Sequence, residues 1–239
     1  MPRFIFYSLV LATLFSCSSA SKTIKFPKRP DDVFANKNLK DFFRNNQTPN
    51  IVLRVPNSND KATSNTSISN AIGGKDNNVL YNAIEKELLR QGYSVRDRGL
   101  FNEIINKSGS TDYSKIKDLT NTDLILEVVN IDPAVVYSTN KVTRVGEKNE
   151  TEEIGAIDYK RYGASVEYRL IMVKNNEIAG TYKYNYQPCA DGCALGTFSF
   201  SGKRNNNQIQ LRETVSVNTM EEFITRCTQD LIKSFKTIG

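Results

Sequence analysis

Histidine is absent from this chain, and so is tryptophan. Without an imidazole there is no Ser-His-Asp or Cys-His nucleophilic catalysis, no imidazole metal site and no histidine pH switch. Four cysteines in 239 residues are too few for a disulfide scaffold and show no paired CxxC zinc knuckles. Paired carboxylates such as Glu152-Glu153 fall in a charged stretch and need no catalytic reading. An enzyme is therefore not expected, nor is any cofactor or metal. A long membrane-spanning run is missing too: the apolar segment at 4–15 (FIFYSLVLATLF) would rise only about 18 Å as a helix, against a hydrocarbon core of about 30 Å. What remains suffices for a fold. With 39% apolar and 24% charged residues the chain can bury a sizeable core, and its length suits one domain with a leader and long loops.

Arg3 followed by that apolar run reads as the start of a secretory signal. The run closes in Leu14-Phe15-Ser16-Cys17, then Ser18-Ser19-Ala20. This is similar to the lipobox of bacterial lipoproteins, in which the Cys is acylated, with palmitoyl-type chains, and becomes the mature N-terminus. A plain signal peptide with an incidental Cys is the alternative. Lipoprotein processing would remove residues 1–16 and anchor the protein through Cys17. Serine at 18 and 19 resembles lipoproteins forwarded to the outer membrane, and no acidic cluster marks export to the surface, so a periplasmic face is expected. Removal of Arg3 leaves 31 basic against 26 acidic residues, a charge of +5. That suits anionic lipid or cell-wall polymer. Nucleic acid is excluded by compartment.

Residues 17–48 are Ser-, Lys-, Asn- and Pro-rich and are expected to be a lipidated tether. Thirty free residues span about 30 Å as a coil and about 100 Å at full stretch. Within it Val33, Phe34, Leu39, Phe42 and Phe43 form an apolar stripe that would dock on its own domain or on a neighbouring subunit. Residues 49–239 are expected to be a single domain. A short strand at 51–55 precedes a polar loop. Val79, Leu80, Ala83, Ile84 and Leu88 then recur at helical spacing, stopped by Gly92. A strand at 93–97, a helix carrying Leu100, Phe101, Ile104 and Ile105, and a short turn carrying Ile116 and Leu119 follow. Residues 123–131 are nearly continuous in apolar side chains and predict a central strand bounded by Asp132-Pro133. Strands at 164–173 and 177–184 flank Lys174-Asn175-Asn176. The last element is a helix from about Thr219 with Phe223, Ile224, Cys227, Leu231, Phe235 and Ile238 on one face. This is an α+β fold: a mixed sheet packed with helices, two long loops or hairpins and a C-terminal helix.

Three stretches in this order resemble the curli-secretion, CsgG-like lipoprotein family: LYNAIEKELLRQGYSVRDRGLFNEII at 80–105, DLTNTDLILEVVNID at 118–132 and VEYRLIMVKNNEIAGTY at 166–182. The second lacks the family's strand glycine, and the third has Asn175-Asn176-Glu177-Ile178 where the family has Thr-Gly-Glu-Ile. The same core resembles periplasmic lipoproteins that activate penicillin-binding proteins, so fold alone does not set function. The resemblance implies an outer-membrane component of an envelope assembly or secretion complex, with an activator of cell-wall synthesis or an oligomeric secretion pore as alternatives. A homo-oligomer would place neighbouring subunits side by side.

In curli-type channels two hairpins per subunit build a barrel, and loops at 137–163 and 186–218 lie at the corresponding places. A barrel strand needs about 9–11 residues with an apolar face. Thr139, Lys141 and Thr143 alternate with Asn140, Val142 and Arg144, and neither row suits lipid. Cys189 and Cys193, around Ala190-Asp191-Gly192, are expected to form a loop disulfide in an oxidising compartment, and Cys227 to be a buried thiol. Tyr182, Tyr184 and Tyr186 share a strand face, against the last helix or open to a partner. The candidate interface residues are Phe34, Phe42, Phe43, Arg96 and Arg98, with salt bridging inside the fold as the other role for the arginines.

Overall fold

The computed structural model describes residues 21–55, 78–108, 113, 117, 119–145, 151–153, 159–195 and 214–238. Cys17 lies outside the described residues, as do Ile116 of the expected short turn and 196–213 of the second loop, whereas Leu119 of that turn is described and exposed. The chain divides into two compact units.

The larger unit is built on a six-stranded sheet. Its strands are β2 (Asp32–Ala35), β3 (Asn50–Arg54), β4 (Ser94–Arg96), β5 (Leu124–Thr139), β8 (Tyr159–Met172) and β9 (Glu177–Tyr186), in the order β2-β9-β8-β5-β3-β4. β3 runs parallel to both β4 and β5, whereas β9 is antiparallel to β8 and β2. Parallel neighbours need crossovers. Helix α2 (Asn78–Arg90) supplies the first and α3 (Arg98–Ser108) lies in the second. The mixed sheet with helices is the α+β fold expected.

Alternation sorts the side chains of each strand onto two faces. Ile51, Leu53, Leu124, Leu126, Val128, Val166, Tyr168 and Leu170 meet helix α1 (Lys37–Asn45), α2 and α4 (Val217–Ile238) in one continuous core. On the opposite face Val52, Ile125, Ile171 and Val173 pack with Phe101 of α3. α4 is amphipathic as its spacing predicts. Met220, Phe223, Ile224, Cys227, Leu231, Ile232 and Phe235 are buried. Gly92 ends α2 at φ +87°, the left-handed position that favours glycine after a helix. The β8–β9 turn holds Asn176 at φ +52°, which a short polar side chain tolerates.

Three expectations are corrected. β5 does not stop at Asp132-Pro133 but continues to Thr139. Proline removes one donor, yet the Asp132 carboxylate accepts the Ala134 N–H at 2.9 Å and the Pro133 carbonyl accepts from Val215 N at 2.9 Å, so polar groups at the interruption are satisfied. Residues 17–48 are not a free tether. β1 (Ser21–Ile24), β2 and α1 lie within them. Finally, residues 49–239 do not make one unit, because part of the 137–163 stretch joins β1 and β10 (Cys193–Leu195) in a second one.

That smaller unit is a four-stranded antiparallel sheet, β10-β1-β6-β7, with β6 at Lys141–Val145, β7 at Thr151–Glu153 and β10 at Cys193–Leu195. β1 sits between two partners, Ile24 facing Cys193 on one side and Val142 on the other. Ile24, Phe26 and Val142 are buried. Cys189 and Cys193 form the disulfide, their Cα atoms 5.1 Å apart, closing the turn next to β10.

Candidate interaction surfaces

The stripe at 33–43 folds because asparagine caps and aromatics dock it onto the larger unit. Asn36 accepts the Leu39 N–H at 2.9 Å as N-cap of α1, offsetting one orphan donor of the first turn. The Asn36 and Asn38 side-chain amides donate to the Glu177 carboxylate at 2.7 and 3.0 Å, and Asn36 N donates to Ala179 O. Leu39 is fully buried. Phe43 stacks on Phe235 with ring centroids 4.4 Å apart. Of the stripe, Phe43 is therefore core and Phe42 packs half-buried against it. Phe34 points the other way and is 61% exposed on edge strand β2. Docking on its own domain is the fate of α1; Phe34 and neighbouring Val33 stay on the surface.

Arg96 and Arg98 lie at the opposite edge of the same sheet, where β4 leads into α3. The structure does not bring them together with Phe34, since the other four strands of the sheet intervene. Arg98 Nε sits 3.7 Å from Glu85 Oε1 and its guanidinium lies 5.4 Å from the centre of the Tyr81 ring. The salt-bridge role thus holds for Arg98. Asp97 Oδ1 accepts Leu100 N at 2.6 Å, capping α3. With Leu89, Val95 and Gly99 these residues line an open cleft. Burial holds the Glu85 carboxyl above its ordinary range, an effect Arg98 opposes and Asp97 reinforces. Arg96 Nε and Arg98 Nη1 are buried without a hydrogen-bond partner among the described residues.

One charged constellation escaped the sequence reading. Arg54 Nη1 donates to Glu127 Oε1 at 2.6 Å and Arg169 Nη1 to Glu127 Oε2 at 3.1 Å. Arg54 also donates to the Tyr113 hydroxyl at 2.7 Å. Pairing registers continue this row outward: Arg169 faces Thr181, which faces Phe34. One face of the sheet thus carries, from β3 to the β2 edge, Arg54, Glu127, Arg169, Thr181 and Phe34. The next row holds Glu167, Lys183 and Asp32. The readable signal was a single charge breaking each apolar strand, in IVLRV, LILEVV and YRLIM.

The tyrosine row takes its intramolecular option. Tyr182 and Tyr184 are buried, and Tyr182 and Tyr186 contact Phe235 and Phe223 of α4. Cys227 is a buried free thiol, and burial pushes its pKa up along with those of Tyr168 and Tyr184. A Tyr168 hydroxyl and Thr228 Oγ1 lie 3.5 Å apart beside it. These groups, held protonated by burial, belong to packing. Among the described residues no group of three or more Asp, Glu or Cys is placed to hold a metal, and no helix is long and apolar enough to cross a membrane.

No protein-family model matches the chain, and no curated protein sequence matches it. Two solved structures are similar. One is the lipoprotein GNA1162 from Neisseria meningitidis, at 10% identity and a TM-score of 0.36, covering 77% of this chain and 99% of that one. The other is a PelC dodecamer from Paraburkholderia phytofirmans, at 10% identity and a TM-score of 0.32, covering 79% and 88%. Likenesses this slight carry no weight for function, and the CsgG-like resemblance rests on the three sequence stretches.

Proposed function

We propose that this protein is a non-enzymatic lipoprotein of the bacterial outer membrane, facing the periplasm and serving in an envelope assembly or secretion complex. The observation that carries the reading is the Leu14-Phe15-Ser16-Cys17 sequence behind a short apolar run, followed after only three residues by the first strand of a folded unit. The acyl chains on Cys17 hold the fold at the membrane, since several chains on one residue make a stable tether at roughly 0.8 kcal/mol per buried CH₂. Partner binding uses the edges and the charged face of the larger sheet. Phe34 at one edge and the Arg96–Arg98 cleft at the other are the surfaces offered.

The short stretch between Cys17 and β1 favours partners at the same membrane over a synthase across the periplasm, which would require a long free tether. The pore reading draws no support from the first loop. Neither alternating row there, Thr139-Lys141-Thr143 or Asn140-Val142-Arg144, suits lipid, whereas a barrel strand needs an apolar face. Fractionation tests the proposal. Wild-type protein should sediment with outer membranes and leave them only in detergent, and Cys17→Ala should appear as precursor or as soluble protein. Equal membrane association of the two would reject the anchor. A pull-down from detergent extracts should then recover envelope proteins with wild type that are lost with Phe34→Glu or Arg96→Glu.

A further inference from the structure

The segment that joins the anchor to the fold has its own chemistry. Residues 18–30 contain Lys22, Lys25, Lys28 and Arg29 and no acidic residue. Arg29 is engaged locally, its Nη2 donating to Val136 O at 2.9 Å above the Tyr137 ring. Lys25 and Lys28 are differently placed. Ile24 and Phe26 turn inward and are buried, so that Lys25 between them turns outward and is exposed, and Lys28 is exposed as well. The Lys25 stem passes over Gly192 in the disulfide-closed turn, where an added Cβ would lie 3.3 Å from its Cε. A lysine whose methylenes lie along the surface keeps its ammonium in water. Asp191, exposed in that turn, is the carboxylate nearest along the chain to the Gly192 contact.

Reach fixes what this surface meets. Ser21 begins β1, and four residues extend at most about 14 Å. β1 is hydrogen-bonded on both sides, so this distance cannot grow by pulling out slack. On the reading that Cys17 is acylated, the start of β1 lies within about 14 Å of the acyl attachment, little beyond the polar headgroup layer and one Debye length of about 8 Å. We propose that the exposed lysines Lys25 and Lys28 lie on anionic phospholipid headgroups, so that the protein is held by its acyl chains and by this basic segment together. An acyl anchor combined with a basic patch binds more firmly than either alone.

The test removes the acyl chains so that it stands apart from the anchor. The mature-length chain carrying Cys17→Ser is sedimented with vesicles containing phosphatidylglycerol and with vesicles of phosphatidylcholine alone. The protein should bind the first, release with added salt and ignore the second. Each cation near such a surface contributes about five-fold to binding, so Lys25→Gln with Lys28→Gln should weaken it about 30-fold. Lys86→Gln with Lys174→Gln removes equal charge from exposed positions elsewhere and should change binding less than about three-fold on this account. Equal losses in the two double variants, equal binding to both vesicle types, or no binding to phosphatidylglycerol would each overturn the proposal. Those outcomes leave acylation of Cys17 standing, and an unacylated Cys17 with intact vesicle binding would remove the anchor alone.

Discussion

Phe235 is where the larger unit is most exposed to damage. Its ring is 2% accessible, stacks on Phe43 at 4.4 Å and meets the rings of Tyr93 and Tyr182 edge-on, each at 6.3 Å. α1, the β4 approach, β9 and α4 thus converge on one side chain. Truncating a buried Phe to Ala costs about 3–5 kcal/mol, transfer and cavity terms combined. For a chain of this size that lowers Tm by roughly 8–16 °C at about 4 kcal/mol. Phe43→Ala should cost about 3 kcal/mol for the same reason, and the double variant should fall short of the sum by about 0.5–1.5 kcal/mol, the worth of an aromatic pair. Phe34→Ala, at 61% exposure, should stay within about 0.5 kcal/mol of wild type. Urea unfolding followed by far-UV circular dichroism measures all four. A loss below about 1 kcal/mol at Phe235, additive Phe43 and Phe235 effects, or a larger cost at Phe34 than at Phe43 would refute the docking of α1 as described.

Glu127→Gln leaves Arg54 and Arg169 side by side without their shared carboxylate and should cost about 2 kcal/mol in thermal or urea unfolding, a value reduced from the fully buried case because both arginines keep some water. Gly163→Ala places a Cβ against the Tyr186 carbonyl and the Tyr137 ring; a loss of at least about 2 kcal/mol is expected, with near-neutrality contradicting the close approach of β8 to these groups. Alkaline titration should destabilise the protein. Burial raises the native pKa of Cys227 above its ordinary 9.0 and those of Tyr168 and Tyr184 above 10.0. The unfolded chain therefore releases these protons first, and stability present below pH 9 falls as pH rises. Each group contributes up to about 1.4 kcal/mol per pH unit, and Cys227→Ala should make the decline measurably shallower from pH 9 upward.

Long periodic elements were legible in the sequence, as were the short strands β3 and β4, whereas β1 and β2 were not. α2 and α4 carry enough turns for an apolar stripe to recur, and the β8–β9 hairpin announced itself through Asn175-Asn176. β1 and β2 have four residues each, and SKTI and DVFA show no period of their own. Both are strands only because distant partners, β6 and β10 or β9, supply hydrogen bonds. The stripe Leu39, Phe42 and Phe43 was visible, and its Asn36 cap could have been read as a helix start; the surrounding Lys, Asn and Pro residues masked it. Pro133 reads as a strand end because proline lacks a donor, yet the neighbouring Asp132 carboxylate takes up the next N–H. The candidate interface was read as residue types, which cannot tell core from surface. Phe43 and Phe34 are nine residues apart in one stripe and end on opposite sides of that distinction. Arg54, Glu127 and Arg169 come from three strands, and only the register of β3, β5 and β8 joins them.

Anchorage at Cys17 is the claim on which the envelope reading stands, and intact mass with N-terminal peptide mapping of membrane-extracted protein tests it most directly. The account predicts a chain that begins at Cys17, lacks residues 1–16 and carries acyl chains on that residue, with the remaining mass accounted for by one Cys189–Cys193 disulfide and a free Cys227. An unmodified Cys17, or a mature chain beginning elsewhere, would contradict it.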